Sequence, residues 1–153
     1  MISSFSRKCL EIMLAAFPEF EQAGSVKLLD GYVEITQVAP SGWHLLISSE
    51  DELVTVRFAE HSIHFGEFAL DNDEQKALSC AEPAVALIRG IISEGIEIAA
   101  WKNSDNFFMM AFFNVAEGAP VLGPDFEYVD YYTGQFRTGF DHEPTLSVRK
   151  WAR

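Results

Sequence analysis

Apolar residues recur at helical spacing near the start of the chain. Ser3 or Ser4 precedes a run whose apolar members lie three or four positions apart, namely Phe5, Cys9, Ile12, Met13, Ala16 and Phe17. This spacing is typical of one face of an amphipathic helix, and serine is a preferred N-cap residue. Proline cannot continue a helix, so the pattern predicts a first helix that ends before Pro18.

Between residues 25 and 68 the apolar period shortens to two, as expected of half-buried strands. The alternating residues are Val33, Ile35, Trp43, Leu45, Ile47, Val54, Val56, Phe58, Ile63 and Phe65. Short turn sequences separate them, at residues 30–31, 40–42 and 49–51. Connections this short favour antiparallel hairpins over parallel crossovers. The pair Ala59 and Glu60 is compatible with either a turn or a bulge.

A second helix is predicted after residue 79. Ser79 and Glu82 have capping-box spacing, Pro83 falls in the first turn, and Gly95 stands where a C-terminus favours positive φ. Strands are then expected over residues 96–102, 107–115 and 126–140, with the very apolar second one central and covered on both faces. The prediction is an α+β fold: one domain, residues 1–153, with an antiparallel sheet of about six strands and two helices packed on one face.

Charge narrows the classes of partner. The chain carries 23 acidic against 11 basic residues, a net charge of -12, which repels both nucleic acid phosphates and anionic membranes. We therefore expect neither nucleic acid nor membrane as a partner. Glu11 and Pro18 interrupt the segment that would form a secretory signal, and two cysteines are too few for a disulfide framework. These features predict a cytoplasmic protein with structural thiols.

The most enzyme-like segment holds His61 and His64 between Glu60 and Glu67. Imidazoles and carboxylates are zinc ligands, but on a strand residues three apart point to opposite faces unless a bulge realigns them. The spacing favours one packed and one solvent-facing histidine, so no metal and no cofactor are assigned. His142, between two acids, is best explained by a solvated loop, and Cys80 by an inert thiol. No nucleophile or phosphate-binding motif occurs, which predicts a non-enzyme without catalytic residues.

One acidic segment is unusually rich in aromatic residues. Rigid amphipathic rings beside carboxylates are enriched at interface hot spots, but alternation favours packing of some of Phe126, Tyr128 and Tyr132 in the core on one face. The candidate partner-binding residues are Asp125, Glu127, Tyr128, Asp130, Tyr131 and Tyr132.

A small, strongly acidic α+β chain with such a segment resembles the immunity proteins that bacteria make against their own polymorphic or contact-dependent toxins. The resemblance implies a non-enzymatic inhibitor of a cognate toxin domain, and the charge suits a basic nuclease. Two alternatives remain open. One is a regulatory or assembly protein acting through a sheet edge or the basic residues 149–153, and the other is a metal-dependent enzyme centred on His61 and His64.

Overall fold

The computed structural model describes residues 1–22, 25–105, 108–118 and 125–132, with the backbone alone at 108 and 128–132. The chain divides into two compact units, which are described separately. Unit 1 comprises Met1–Val38 and His44–Ile88, and unit 2 comprises Ala39–Trp43 and Arg89–Arg153. The expectation of a single domain remains a prediction.

Unit 1 begins with the predicted first helix, α1 (Ser4–Ala16). The Ser3 hydroxyl accepts a hydrogen bond from the Ser6 amide, which satisfies one of the free donors of the first turn. Pro18 ends the helix and opens a short 3₁₀ turn, Pro18–Glu21. The helix is therefore bounded at both ends by the signals visible in its sequence.

A five-stranded antiparallel sheet follows, in the order β1-β2-β3-β4-β5. Its strands are β1 (Val26–Leu28), β2 (Val33–Val38), β3 (His44–Ser48), β4 (Val54–Phe58) and β5 (His61–Phe65). Four of them are the predicted hairpin strands; β1, only three residues long, was not predicted. The β4–β5 connection is a two-residue turn, because Phe58 pairs directly with His61, and Ala59 adopts φ 53° in it.

The apolar positions of this sheet form a wall under α1. Ile35 pairs with Ile47, Ile47 with Val56, and all three are at most 4 % exposed. Directly paired residues lie on the same face of a sheet, so each row is continuous across strands. A small gap against this wall is lined by Cys9, Leu10 and Met13 of α1 and by Val33, Ile35, Ile47 and Val54.

Helix α2 (Asp73–Ile92) is longer than predicted. Asn72 Oδ1 accepts a hydrogen bond from the Gln75 amide at 3.0 Å. The helix starts six residues before Ser79, so both Ser79 and Pro83 lie inside it. The predicted start was wrong because a second capping signal, Asn72 with Gln75 three residues later, lies upstream of Ser79. An ion pair of 3.2 Å joins Lys8 of α1 to Glu74 in the first turn of α2.

Unit 2 contains a three-stranded antiparallel sheet in the order β7-β6-β8. Its strands are β6 (Ile96–Asn103), β7 (Phe108–Asn114) and β8 (Phe126–Tyr132). The residue with positive φ after α2 is Glu94, not Gly95. The expected central strand was also wrong: β6 lies in the middle because β7 and β8 pair with its two sides, and β7 is at an edge.

The α+β class and the antiparallel pairing are confirmed. The expected sheet of about six strands is matched only roughly, since the described residues form eight strands in two sheets. The sequence could not separate the sheets, because alternation identifies strands and not their partners.

Candidate functional site

All six predicted partner-binding residues lie on or directly before β8. This strand pairs with β6, and within the described ranges its other edge has no strand partner. The supporting strand is rigidly held: Ile98, Ala99, Ala100 and Trp101 of β6 are all at most 4 % exposed. A strand buried on both faces gives β8 a fixed base. The acidic segment is thus the border of a packed sheet.

A bulge sets the arrangement of the acids. Trp101 pairs with Tyr128, and the residue before it, Ala100, pairs with Asp130. Val129 is therefore the extra residue on β8. Glu127, opposite Lys102, and Asp130, opposite Ala100, therefore occupy the same face of the sheet. In an unbroken strand, positions three apart would alternate to opposite faces. The bulge brings two negative positions together that the sequence pattern would separate.

The same bulge divides the aromatic positions between the two faces. Tyr132 is opposite Ile98, on the face of Glu127 and Asp130, whereas Tyr128 and Tyr131 are opposite Trp101 and Ala99. Simple alternation predicts Phe126, Tyr128 and Tyr132 on one face, and for Tyr132 this was wrong. The candidate set consequently forms two groups, of which one contains both strand acids.

At the start of the segment, side chains show how it is anchored. Phe126 is half-buried and packs on a cluster of Ala99, Trp101 and Phe113. Its neighbours Asp125 and Glu127 are exposed. Lys102, opposite Glu127 in the register, offsets part of the negative charge on that face. An apolar anchor between two solvated carboxylates is suited to contact with a positively charged surface.

The histidines of β5 are placed apart. His61 pairs with Phe58 and His64 with Thr55, so the two imidazoles belong to opposite faces of the five-stranded sheet. His64 Nδ1 lies 2.7 Å from Thr55 Oγ1, and burial lowers the pKa of His61. Among the residues that the structure describes, no three His, Cys, Asp or Glu side chains are grouped to hold a metal ion.

Both cysteines are buried, at 3 % exposure for Cys9 and 1 % for Cys80. Burial raises the pKa of Cys9 to about 12, with a contribution from Cys80. Burial also raises the pKa of Cys80, helped by the charge of Glu67. Thiols held in the protonated form are poor nucleophiles.

The structure also exposes features that the sequence pattern did not reveal. Phe68, just after β5, is 83 % exposed, and Ile63 within β5 is 37 % exposed. The strand order, which a single sequence does not reveal, makes β5 the border of its sheet. His142 and the basic residues 149–153 fall outside the described residues. Over the part of the chain that is described, no helix is long and apolar enough to cross a membrane.

The chain matches no protein family, no curated protein and no solved structure.

Proposed function

We propose that this protein binds and neutralises a basic protein domain, as a bacterial immunity protein does its toxin, with the acidic segment of β8 as the contact. The observation that carries the proposal is the bulge in β8, which sets Glu127 and Asp130 on one face of a strand whose other edge has no strand partner among the described residues. In this proposal the protein is cytoplasmic, needs no cofactor and has no catalytic residue.

The physical basis is electrostatic steering followed by packing. A chain of net charge -12 attracts a basic nuclease cleft over a distance of about one Debye length, roughly 8 Å at physiological salt. Asp125, Glu127 and Asp130 then stand where substrate phosphates would bind. Tyrosines are enriched at interface hot spots, so Tyr128, Tyr131 and Tyr132 supply the contacts that slow dissociation.

An assembly function is the second candidate, because open sheet edges are the feature that such proteins use. The metal-dependent alternative has less support, since the β5 register separates His61 from His64. Stoichiometric zinc, nickel or iron in protein purified without chelators would favour it over the inhibitor.

The test begins with the partner. Tagged protein is used to capture proteins from host lysate, and the affinity of the recovered domain is then measured for two triple variants. The first variant combines Asp125→Asn, Glu127→Gln and Asp130→Asn. The second combines Glu19→Gln, Glu21→Gln and Glu82→Gln, which are exposed in unit 1. Both change the net charge equally, so the comparison isolates position from total charge.

We expect the β8 variant to bind a basic toxin-like domain about 10- to 100-fold more weakly, because each of the three lost charged contacts costs about 0.5–0.9 kcal/mol. The matched variant should lose no more than about threefold. Equal losses in the two variants would reject β8 as the contact. A captured partner that is acidic, or whose activity is unaffected by binding, would reject the inhibitor proposal itself.

A further inference from the structure

The outer border of β5 differs from that of the opposite edge strand. β5 pairs only with β4, and no other strand among the described residues adjoins Ser62–Phe65. Proteins usually protect such borders with lysine, proline, a bulge or a very short strand. β1 is three residues long and carries Lys27, so the far edge is protected. β5 has five residues in regular register with neither lysine nor proline.

A row of apolar residues that crosses the five-stranded sheet ends at a partly exposed residue on β5. Val56 is fully buried, and its partner Ile63 is 37 % exposed. Another strand alongside β5 would place a side chain next to Ile63 and extend the row that runs through Ile35 and Ile47. Phe68, 83 % exposed, follows a few residues later. The edge of β5 at Ser62–Phe65 can therefore accept an added strand beside Ile63.

Charge decides which strand fits. Exposed Glu60 precedes β5 and half-buried Glu67 follows it, whereas no residue of β5 itself is acidic or permanently basic. A second copy of this chain, paired antiparallel about Ile63, would place Gly66 opposite Glu60 and Ala59 opposite Glu67, so it would bring no basic residue to either acid. Charge complementarity instead favours a segment with basic residues at its two ends.

We infer that β5 is a docking edge for an extended segment of a partner protein with an apolar centre and a lysine or arginine near each end. In antiparallel register the residue opposite Ile63 is apolar. The basic residues stand three positions after it, near Glu60, and four positions before it, near Glu67, because these acids flank β5. Arg57, one strand further in and opposite Ser62, favours an uncharged residue directly after the apolar one. This inference concerns unit 1 and does not depend on β8.

The probe is a labelled eight-residue peptide of sequence KTVTVTVK with blocked ends, measured by fluorescence anisotropy at low salt. Its controls are ETVTVTVE, with reversed end charges, and two backbone N-methylated forms, each blocking one edge of the peptide strand. We expect ETVTVTVE to bind at least about tenfold more weakly. One N-methylated form should lose binding and the other retain it. Equal binding of all four peptides would overturn the inference.

Variants locate the site on the protein. Ile63→Lys places a charge in the apolar row at the border and should weaken KTVTVTVK binding at least about tenfold. Val38→Lys is the matched control, because Val38 is 63 % exposed on an inner strand of the same sheet. The pair Glu60→Gln and Glu67→Gln, which leaves the apolar row intact, should lose affinity and flatten its salt dependence. Unchanged affinity in this pair, or an equal loss with Val38→Lys, would overturn the assignment.

Discussion

Two of the edge strands among the described residues, β5 and β8, present negative charge in different ways. β8 carries acids within the strand, and a bulge groups Glu127 with Asp130. β5 has no acid within it, ends an apolar row at Ile63, and has Glu60 and Glu67 beyond its ends. The chain therefore has two different edge strands. The acidic β8 is suited to contact with a folded basic surface, and the uncharged β5 is suited to pairing with an extended segment. Net charge alone does not distinguish these two kinds of surface.

The largest expected effect on stability comes from removing a buried aromatic ring next to β5. Phe58, 1 % exposed, pairs with His61 of β5. Phe58→Ala should lower the free energy of unfolding by about 3–5 kcal/mol, because it removes a buried ring and leaves a cavity. Urea denaturation measures the loss. Phe68→Ala, at a position 83 % exposed, should change stability by less than about 0.5 kcal/mol. Similar losses of stability in both variants would contradict the burial of Phe58 in the core of unit 1.

Alkaline pH should weaken the contact between α1 and the apolar face of the five-stranded sheet. The pKa of Cys9 is about 12 in the folded protein, against 9.0 for an ordinary thiol. A raised pKa stabilises the protonated folded state fully below pH 9, and this stabilisation is lost as the pH rises toward 12. We expect a loss of about 2 kcal/mol by pH 10.5 relative to pH 8. Urea midpoints of Cys9→Ala, measured in parallel, should lack this part of the decline; identical pH profiles would contradict the prediction.

Backbone strain occurs in both units and can be relieved without touching either border. Ala59 after β4 and Glu94 after α2 have φ of 53° and 60°, a region that suits glycine. Ala59→Gly and Glu94→Gly should each raise stability by up to about 1 kcal/mol, measured by urea denaturation. Glu82→Gly, inside α2 and exposed, should instead cost about 1 kcal/mol. Destabilisation by all three substitutions would contradict the prediction that the backbone is strained at Ala59 and Glu94.

The smallest effect should come from Lys102, which faces Glu127 across the β6–β8 pair. Lys102→Gln removes the positive charge that offsets the acidic rim. It should cost about 0.2–1 kcal/mol of stability while strengthening binding to a basic partner by a few-fold. Calorimetric unfolding and an affinity titration measure the two effects. Weaker binding to that partner would show that Lys102 itself contributes to the contact.

The sequence predicted elements well wherever local chemistry determines them. Ser3 and Pro18 bound α1, and alternation located β2 through β5. Sequence reasoning failed where the structure depends on which strands pair. β6 is central because β8 pairs with the side that β7 leaves free, and the bulge at Val129 follows from the register of β8 with Trp101 and Ala100. The candidate acids were identifiable from composition. Their grouping on one face, and the open border of β5, required the pairing of strands distant in sequence.

The proposed contact for a basic protein domain is the acidic segment of β8. Its most direct test is the association rate constant with the captured partner, measured by stopped flow from about 20 to 500 mM salt. The wild type should associate rapidly at low salt and slow steeply as salt rises, since steering is screened. The combined Asp125→Asn, Glu127→Gln and Asp130→Asn variant should show a distinctly shallower dependence than the Glu19→Gln, Glu21→Gln and Glu82→Gln variant. Superimposable salt dependences for the two variants would contradict the account.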